Sequence, residues 1–139
     1  MSTRLFLLLS LILALLQGAF LPPVFLEGLL VVIFVLSNQA PRVFAGLFVS
    51  GLLFDVVQTV HLGTTSVIFL IVGVAMLLLK KDIPFSRPWV GMAISMLILL
   101  SRSKIVFGSF DFASVVLGGI IAFFVMSFAR LSKSEKLEI

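Results

Sequence analysis

The sequence predicts an all-α membrane protein, a bundle of six transmembrane helices. Of the 139 residues, 61% are hydrophobic and only 12% are charged, whereas soluble domains carry about 25% charged residues. The mean hydropathy is +1.32. The apolar residues lie in long blocks separated by short breaks, as membrane spans do. These blocks predict a single transmembrane domain over residues 1–130, followed by a short basic cytoplasmic tail at 131–139.

Six apolar segments are expected to cross the bilayer as helices. They run over Leu5–Leu21, Val24–Leu36, Val43–Val60, Thr64–Leu79, Trp89–Leu100 and Phe112–Ala129. The first ends at Pro22–Pro23, because proline lacks the amide proton and clashes with the preceding turn, and without a good cleavage site we expect it to remain uncleaved. A span needs about 20 apolar residues to cross about 30 Å of hydrocarbon. The second and fifth segments are shorter, so we expect them to extend into flanking polar residues, to thin the bilayer or to lie partly re-entrant.

Turn-forming and charged residues bound the later segments. The second segment contains Glu27 one turn from its start, near the outer interface and solvent, where we expect a structural role at the positive end of its own helix. The third follows the polar stretch "NQAPR". At its end, Gly63 with Thr64 and Thr65 predicts a tight turn in which a threonine caps the fourth helix. The stretch "KKD" ends the fourth segment, "SRSK" follows the fifth, and a polar tail follows the sixth.

The basic residues predict the orientation in the membrane. If the amino terminus is cytoplasmic and all six segments cross, eight Lys or Arg residues fall inside and two outside, as the positive-inside rule requires. The eight are Arg4, Arg42, Lys80, Lys81, Arg87, Arg130, Lys133 and Lys136, and the two are Arg102 and Lys104. Without the second span the count is at best seven against three, with the amino terminus outside. We therefore favour a multi-pass protein of six spans with both termini in the cytoplasm. The net charge of +4 is explained by topology and anionic lipid, and since no basic patch is interleaved with aromatic residues we expect no nucleic-acid partner.

An acidic residue within the third segment is the leading candidate for a special role. In "GLLFDVVQTVHLG", Gly51, Asp55 and Gln58 are spaced four and three residues apart and therefore share one face of a helix. A charged carboxylate at mid-membrane costs about 2.5–3.5 kcal/mol, and less near an interface, so Asp55 should face the bundle or a cavity. Its roles could be packing through hydrogen bonds to a neighbouring helix or loop, a proton or substrate relay, or contact with a partner protein. Packing is favoured over a relay, because no second buried carboxylate is evident in register.

Other motifs indicate packing rather than chemistry. Ser114, Gly118 and Ala122 repeat every four residues in the sixth segment, a spacing that lets helix backbones approach closely, either within the bundle or against a partner. His61 stands alone and the chain has no cysteine, so we expect no metal site. The sequence contains no catalytic triad, phosphate-binding loop or metalloprotease motif. We therefore expect neither an enzyme nor a bound cofactor.

The stretch "GLLFDVVQTVHLGTTSVIFLIVG" resembles the rod shape-determining protein MreD family. In that family a third span opened by glycine carries an aspartate, and a Leu-Gly turn leads into an apolar fourth span. The matching positions here are Gly51, Asp55, Leu62 and Gly63. The layout is similar as well, with an early proline break, "NQAPR" before the third span, a basic break after the fourth and a basic tail. The resemblance implies a fold like that of the substrate-binding S-components of energy-coupling-factor vitamin transporters.

The resemblance also implies a function in cell-shape control. The protein would be a non-enzymatic scaffold in the bacterial inner membrane, part of the elongation machinery that synthesises peptidoglycan. It would bind the single-span MreC and help couple cytoplasmic MreB filaments to the RodA glycosyltransferase and its penicillin-binding transpeptidase.

The main alternative is an S-component that captures a small vitamin-like molecule from outside. Such a pocket needs several convergent polar groups. The outer polar residues that could supply them are Glu27, Asp55, Gln58, His61, Arg102, Lys104 and Asp111. A proton-coupled exporter is a third hypothesis, and it would need more than one intramembrane acid in register.

Overall fold

The computed structural model describes residues 1–17, 19–22, 25–84 and 87–135, with side chains through residue 130. Within these ranges it contains six α-helices, which confirms the all-helical class. They are α1 (Thr3–Leu16), α2 (Glu27–Ser37), α3 (Ala40–Val57), α4 (Thr64–Leu79), α5 (Pro88–Phe107) and α6 (Phe112–Glu135). Proline stands in the first turn of α3 and of α5, where its missing amide proton removes no intrahelical hydrogen bond.

Three helices are long and apolar enough to span a membrane. These stretches are Ala40–Val57 in α3, Pro88–Phe107 in α5 and Phe112–Arg130 in α6. Helices α1, α2 and α4 are apolar but have only 14, 11 and 16 residues. The prediction of a short second helix is therefore confirmed. The prediction of a short fifth helix is wrong, because α5 has 20 residues and continues past Leu100 to Phe107.

The short helix α2 is the centre of the bundle and contacts all five other helices. Its residues Val31, Val32, Phe34 and Val35 are buried, and the ring of Phe34 stacks on that of Phe6 from α1 with centroids 3.8 Å apart. A helix of 11 residues is about 16 Å long, too short to cross the hydrocarbon by itself. Surrounding helices can shield such a short element, since irregular backbone at membrane depth is tolerated where protein covers it.

Successive helices run in alternating directions. At the start of α1, the carbonyl of Met1 accepts a hydrogen bond from Asn38 Nδ2, just past the end of α2, at 2.9 Å. Near the α3–α4 turn, Ser66 Oγ donates to the carbonyl of Phe48 at 2.9 Å. Helices α5 and α6 are antiparallel in the same way. The end of the bundle at which α1, α3 and α5 begin is named the basic end, and the opposite end the distal end.

Small residues bring the backbones of paired helices together. A Cβ atom at Gly28 of α2 would lie 2.7 Å from the carbonyl oxygen of Ser95 in α5, and one at Gly51 of α3 would overlap the backbone of Ser66 in α4. Because the nearest atoms include backbone, neither helix can relieve the overlap by turning a side chain. The α2–α5 and α3–α4 contacts therefore require glycine at these two positions.

We predict that Gly51→Ala separates α3 from α4. The added methyl group forces a backbone shift, and overpacking of this kind costs about 1–3 kcal/mol of unfolding free energy. Thermal unfolding of the purified protein in mild detergent, followed by circular dichroism, should show a lower midpoint. Ala45→Leu adds more volume on the exposed side of the same helix and should melt like the parent. An unchanged midpoint for Gly51→Ala would contradict the close contact.

Candidate functional site

A cluster of polar side chains closes the distal end of the bundle. It joins five elements, and its members are Gln17, Glu27, Gln58, Thr65 and Arg102. Gln17 and Gln58 cap the ends of α1 and α3, whereas Glu27 and Thr65 stand in the first turns of α2 and α4. Arg102 comes from the last third of α5. We refer to these five residues as the buried polar cluster, since all but the partly exposed Gln58 are buried.

The guanidinium of Arg102 is the hub of the buried polar cluster. Its side chain is fully buried and donates hydrogen bonds through Nη1 to Glu27 Oε1, through Nη2 to Gln58 Oε1, and through Nε to Thr65 Oγ1. The guanidinium carbon also lies 4.9 Å from the centroid of the Phe54 ring, within reach of a cation–π interaction. Arginine suits this position because its planar fork directs several donors to separate acceptors while its charge is permanent.

Glu27 provides the opposite charge. Its side chain has no exposed surface and forms a salt bridge with Arg102, while its other oxygen, Oε2, accepts the backbone N–H of Phe25 at 3.3 Å. The expectation that Glu27 lies near solvent is therefore wrong, and so is the placement of Arg102 after the end of the fifth helix. Each charge would be costly to bury alone in an apolar medium, and the pairing offsets that cost for both.

Gln58 extends the cluster to α1. Its Nε2 donates to Gln17 Oε1 at 3.3 Å while its Oε1 accepts from Arg102. The predicted candidate Gln58 thus joins the buried polar cluster, whereas Asp55, on the same face of α3, has different partners. Deeper in the bundle, Ser50 Oγ donates to Ser10 Oγ at 2.9 Å and links the same two helices a second time.

Asp55 caps the helix that follows its own. Its buried carboxylate accepts the backbone N–H of Gly63 at 2.8 Å and that of Thr65 at 3.2 Å. The first turn of a helix leaves several N–H groups without intrahelical acceptors, and a carboxylate there also faces the positive end of the helix dipole. Gly63 is the N-cap of α4 and has no side chain to provide a cap. The predicted threonine cap is therefore wrong, and Thr65 Oγ1 accepts from Arg102 instead.

The turn between α3 and α4 depends on Asp55 at both of its ends. Thr59 and Gly63 have φ angles of +54° and +93°, in the left-handed region that a β-branched residue such as threonine rarely adopts. The main-chain carbonyl of Asp55 accepts the N–H of Val60 at 3.0 Å, and its side chain holds Gly63. These hydrogen bonds offset the backbone strain at Thr59.

The remaining predicted residues lie in packing positions within the chain. Gly51 lies against the backbone of Ser66, and Gly118 faces the carbonyl oxygen of Phe25. Ala122 is fully buried. Of the two roles considered for the small-residue stripe of the sixth segment, the structure thus places Gly118 and Ala122 in an internal seam.

A second polar group organises the connection from α5 to α6. Ser103 Oγ donates to the carbonyl of Ser109 at 2.6 Å and accepts the N–H of Asp111 at 3.3 Å. The backbone N–H and the hydroxyl of Ser114 both donate to the Asp111 carboxylate, so the predicted stripe residue Ser114 stabilises the start of α6. These two hydrogen bonds lower the pKa of the exposed Asp111 below its usual range, because they favour the ionised carboxylate.

The buried polar cluster and Asp55 bind groups of the same chain and join its helices. Among the described residues, no three His, Cys, Asp or Glu side chains are grouped so that they could hold a metal ion, and His61 is exposed. Glu27, Asp55 and Arg102 do not line any of four cavities found in the described part of the chain. Comparison of the chain with protein-family models, with curated proteins and with solved structures finds no match.

The sequence contains a pattern that predicts the burial of Arg102, but the predicted fifth segment ends at Leu100 and leaves this residue out. The buried positions Gly91, Ser95, Ile98 and Arg102 follow one another at spacings of four, three and four, which is one face of a helix. The stretch "SRSK" therefore continues the period of α5 instead of ending it. Its partner Glu27 lies 75 positions away, and no local pattern connects the two.

We predict that removing one member of the ion pair destabilises the protein more than removing both. Arg102→Met leaves Glu27 buried without its partner, at an expected cost of about 3–5 kcal/mol of unfolding free energy. The double variant Arg102→Met/Glu27→Met has no buried charge at these positions and should recover much of that loss. Equilibrium unfolding in detergent micelles measures both. Lys104→Met, at an exposed neighbouring position, is the control, and a double variant less stable than the single one would contradict the pairing.

We predict that Asp55→Asn keeps the α4 cap and that Asp55→Leu loses it. Asparagine retains a side-chain oxygen that can accept from Gly63 and Thr65, whereas leucine leaves their N–H groups without that acceptor, at a cost of about 0.5–2 kcal/mol. Hydrogen exchange of the amides at the start of α4 reports the cap directly. Exchange should accelerate at Gly63 and Thr65 in the leucine variant only. Equal protection in both variants would show that Asp55 does not cap α4.

Proposed function

We propose that this protein is a non-enzymatic membrane scaffold of the bacterial cell-elongation machinery, as its resemblance to the MreD family implies. In this proposal it crosses the inner membrane six times with both termini in the cytoplasm, binds MreC, and helps couple MreB filaments to RodA and its transpeptidase. The observation that carries the proposal is the buried polar cluster. Its charged groups bind one another and fix five elements of the bundle, which suits a rigid adaptor.

The contacts that the outer polar residues make within the chain favour a scaffold over solute capture. A solute pocket needs polar groups that converge on a cavity. Glu27 and Arg102 instead form a fully buried salt bridge, and the Asp55 carboxylate accepts from backbone N–H groups of the same chain. A solute that bound these groups would first have to displace contacts that hold the helices together.

The distribution of exposed basic residues supports the proposed topology. Among the described side chains, the exposed Lys and Arg residues at the basic end are Arg4, Arg42, Lys80, Lys81, Arg87 and Arg130. At the distal end Lys104 is exposed, whereas Arg102 is buried and paired with Glu27. The difference between the two ends in Lys and Arg, on which the positive-inside rule depends, is therefore larger for exposed side chains than for the residue count alone. It supports a cytoplasmic basic end and an outer distal end.

The proposal predicts which proteins co-purify from native membranes. With an affinity tag on the full chain and gentle solubilisation, we expect a single-span protein with an outer domain, MreC, together with RodA and its transpeptidase. Asp55→Leu should reduce recovery of MreC several-fold at equal bait, and Asp55→Asn should retain it, because leucine removes the acceptor that holds the α3–α4 turn.

The co-purification experiment also distinguishes the alternative. Recovery of an ATP-driven transporter module, or of a bound small molecule without cell-wall enzymes, would replace the scaffold proposal with solute capture. Unchanged MreC recovery by Asp55→Leu would show that Asp55 does not contribute to the partner interface, but it would not contradict the scaffold proposal. Ala45→Leu, on the exposed side of α3, controls for a general effect of a larger apolar side chain.

A further inference from the structure

An apolar groove lies between α4 and α5 on the outside of the bundle. Its volume is about 490 Å³, and its lining includes Ile71 and Ala75 from α4 and Ala93 and Leu97 from α5. Close to the basic end, Trp89 also lines the groove. Its side chain is 68% exposed, and its ring packs against that of Phe123 with centroids 4.8 Å apart.

Three exposed cations stand beside the end of this groove. Lys80 and Lys81 directly follow α4, and Arg87 is the N-cap of α5. Leu79, which precedes Lys80, and Trp89, two residues after Arg87, line the groove itself. One exposed acid, Asp82, lies in the same connection, so these four residues carry a net charge of +2. An apolar channel therefore ends at a basic surface, with the tryptophan at the boundary between them.

We propose that this groove binds an anionic phospholipid, with an acyl chain along α4 and α5 and the phosphate headgroup beside Lys80, Lys81 and Arg87. The charge complementarity selects the headgroup, because basic residues near a membrane surface attract anionic lipid. Trp89 occupies the interfacial level at which tryptophan is enriched in membrane proteins. This site is independent of the proposed scaffold role.

The single tryptophan of the chain is a built-in probe of the groove. We would reconstitute the full protein in phosphatidylcholine vesicles that contain a small, equal fraction of either phosphatidylglycerol or phosphatidylcholine with brominated acyl chains. Bromine quenches tryptophan fluorescence on contact. We expect brominated phosphatidylglycerol to quench Trp89 at about fivefold lower mole fraction, the size of effect that one basic residue at an anionic surface can produce. High salt should weaken the preference.

Matched variants separate a site from general surface charge. Lys80→Gln/Arg87→Gln removes two charges beside the groove and should abolish the preference for phosphatidylglycerol. Arg4→Gln/Arg42→Gln removes two charges from the same end of the bundle, at the starts of α1 and α3, and should preserve it. Ala93→Phe fills the groove and should reduce quenching by both lipids. The Trp89 emission maximum and the circular dichroism spectrum verify the fold of each variant.

Three results would overturn the lipid site. Equal quenching by the two brominated lipids in the parent protein would show that the groove has no headgroup preference. Equal loss of preference in the two double variants would assign the effect to the whole basic end. A photo-crosslinker at Ala93 that captures a polypeptide in native membranes, in place of lipid, would identify the groove as a docking site for a partner helix.

Discussion

The buried guanidinium of Arg102 is the constraint on which the distal end of the bundle depends. A charge at this position requires acceptors, because an unpaired one would cost several kcal/mol. Glu27, Gln58 and Thr65 supply them from three different elements. If any of these elements moved by one helical turn, about 5.4 Å, an acceptor would be lost and two polar groups would be left unsatisfied. Buried ion pairs contribute little net stability, so the main consequence of this one is to fix the register of α2, α3 and α4 against α5.

Register matters most for α2, which is too short to be positioned by the bilayer. Its first residue, Glu27, is held by Arg102, and just past its other end Asn38 donates to the carbonyl of Met1. Between these two anchors α2 contacts all five other helices, with Val31, Val32, Phe34 and Val35 buried. A helix with one face buried among its neighbours has less need of the length that lipid imposes. The ion pair and the short length of α2 are therefore linked, because the ion pair fixes the position of a helix that is too short for the bilayer to position.

Local sequence patterns predicted the helices but not the long-range polar contacts. Proline breaks, apolar blocks and the face shared by Gly51, Asp55 and Gln58 are local, and the structure contains a helix that overlaps each predicted segment. The first predicted segment is too long, because α1 ends at Leu16 and not at Leu21. The predicted fifth segment ends at Leu100, just before a charged residue, although Arg102 continues the buried face of α5. The Glu27–Arg102 pair depends on which helices are neighbours, and a single sequence does not contain that information. The cap of α4 is not predicted for the same reason, since its acceptor, Asp55, belongs to the preceding helix.

The two buried acids perform different tasks, and the difference bears on partner binding. Glu27 neutralises Arg102 inside the bundle, whereas Asp55 shapes a turn that reaches the surface, where His61 and Leu62 are exposed. Exposed helix faces of the bundle are largely apolar, and lipid tails compete equally well for such faces, so they give a partner little hydrophobic driving force. Selectivity then has to come from shape and from polar groups at helix ends. In the proposed topology the α3–α4 turn lies on the outer side, within reach of a partner with an outer domain. In that proposal, Asp55 would control an outer contact from within the membrane by holding the α3–α4 turn in one conformation.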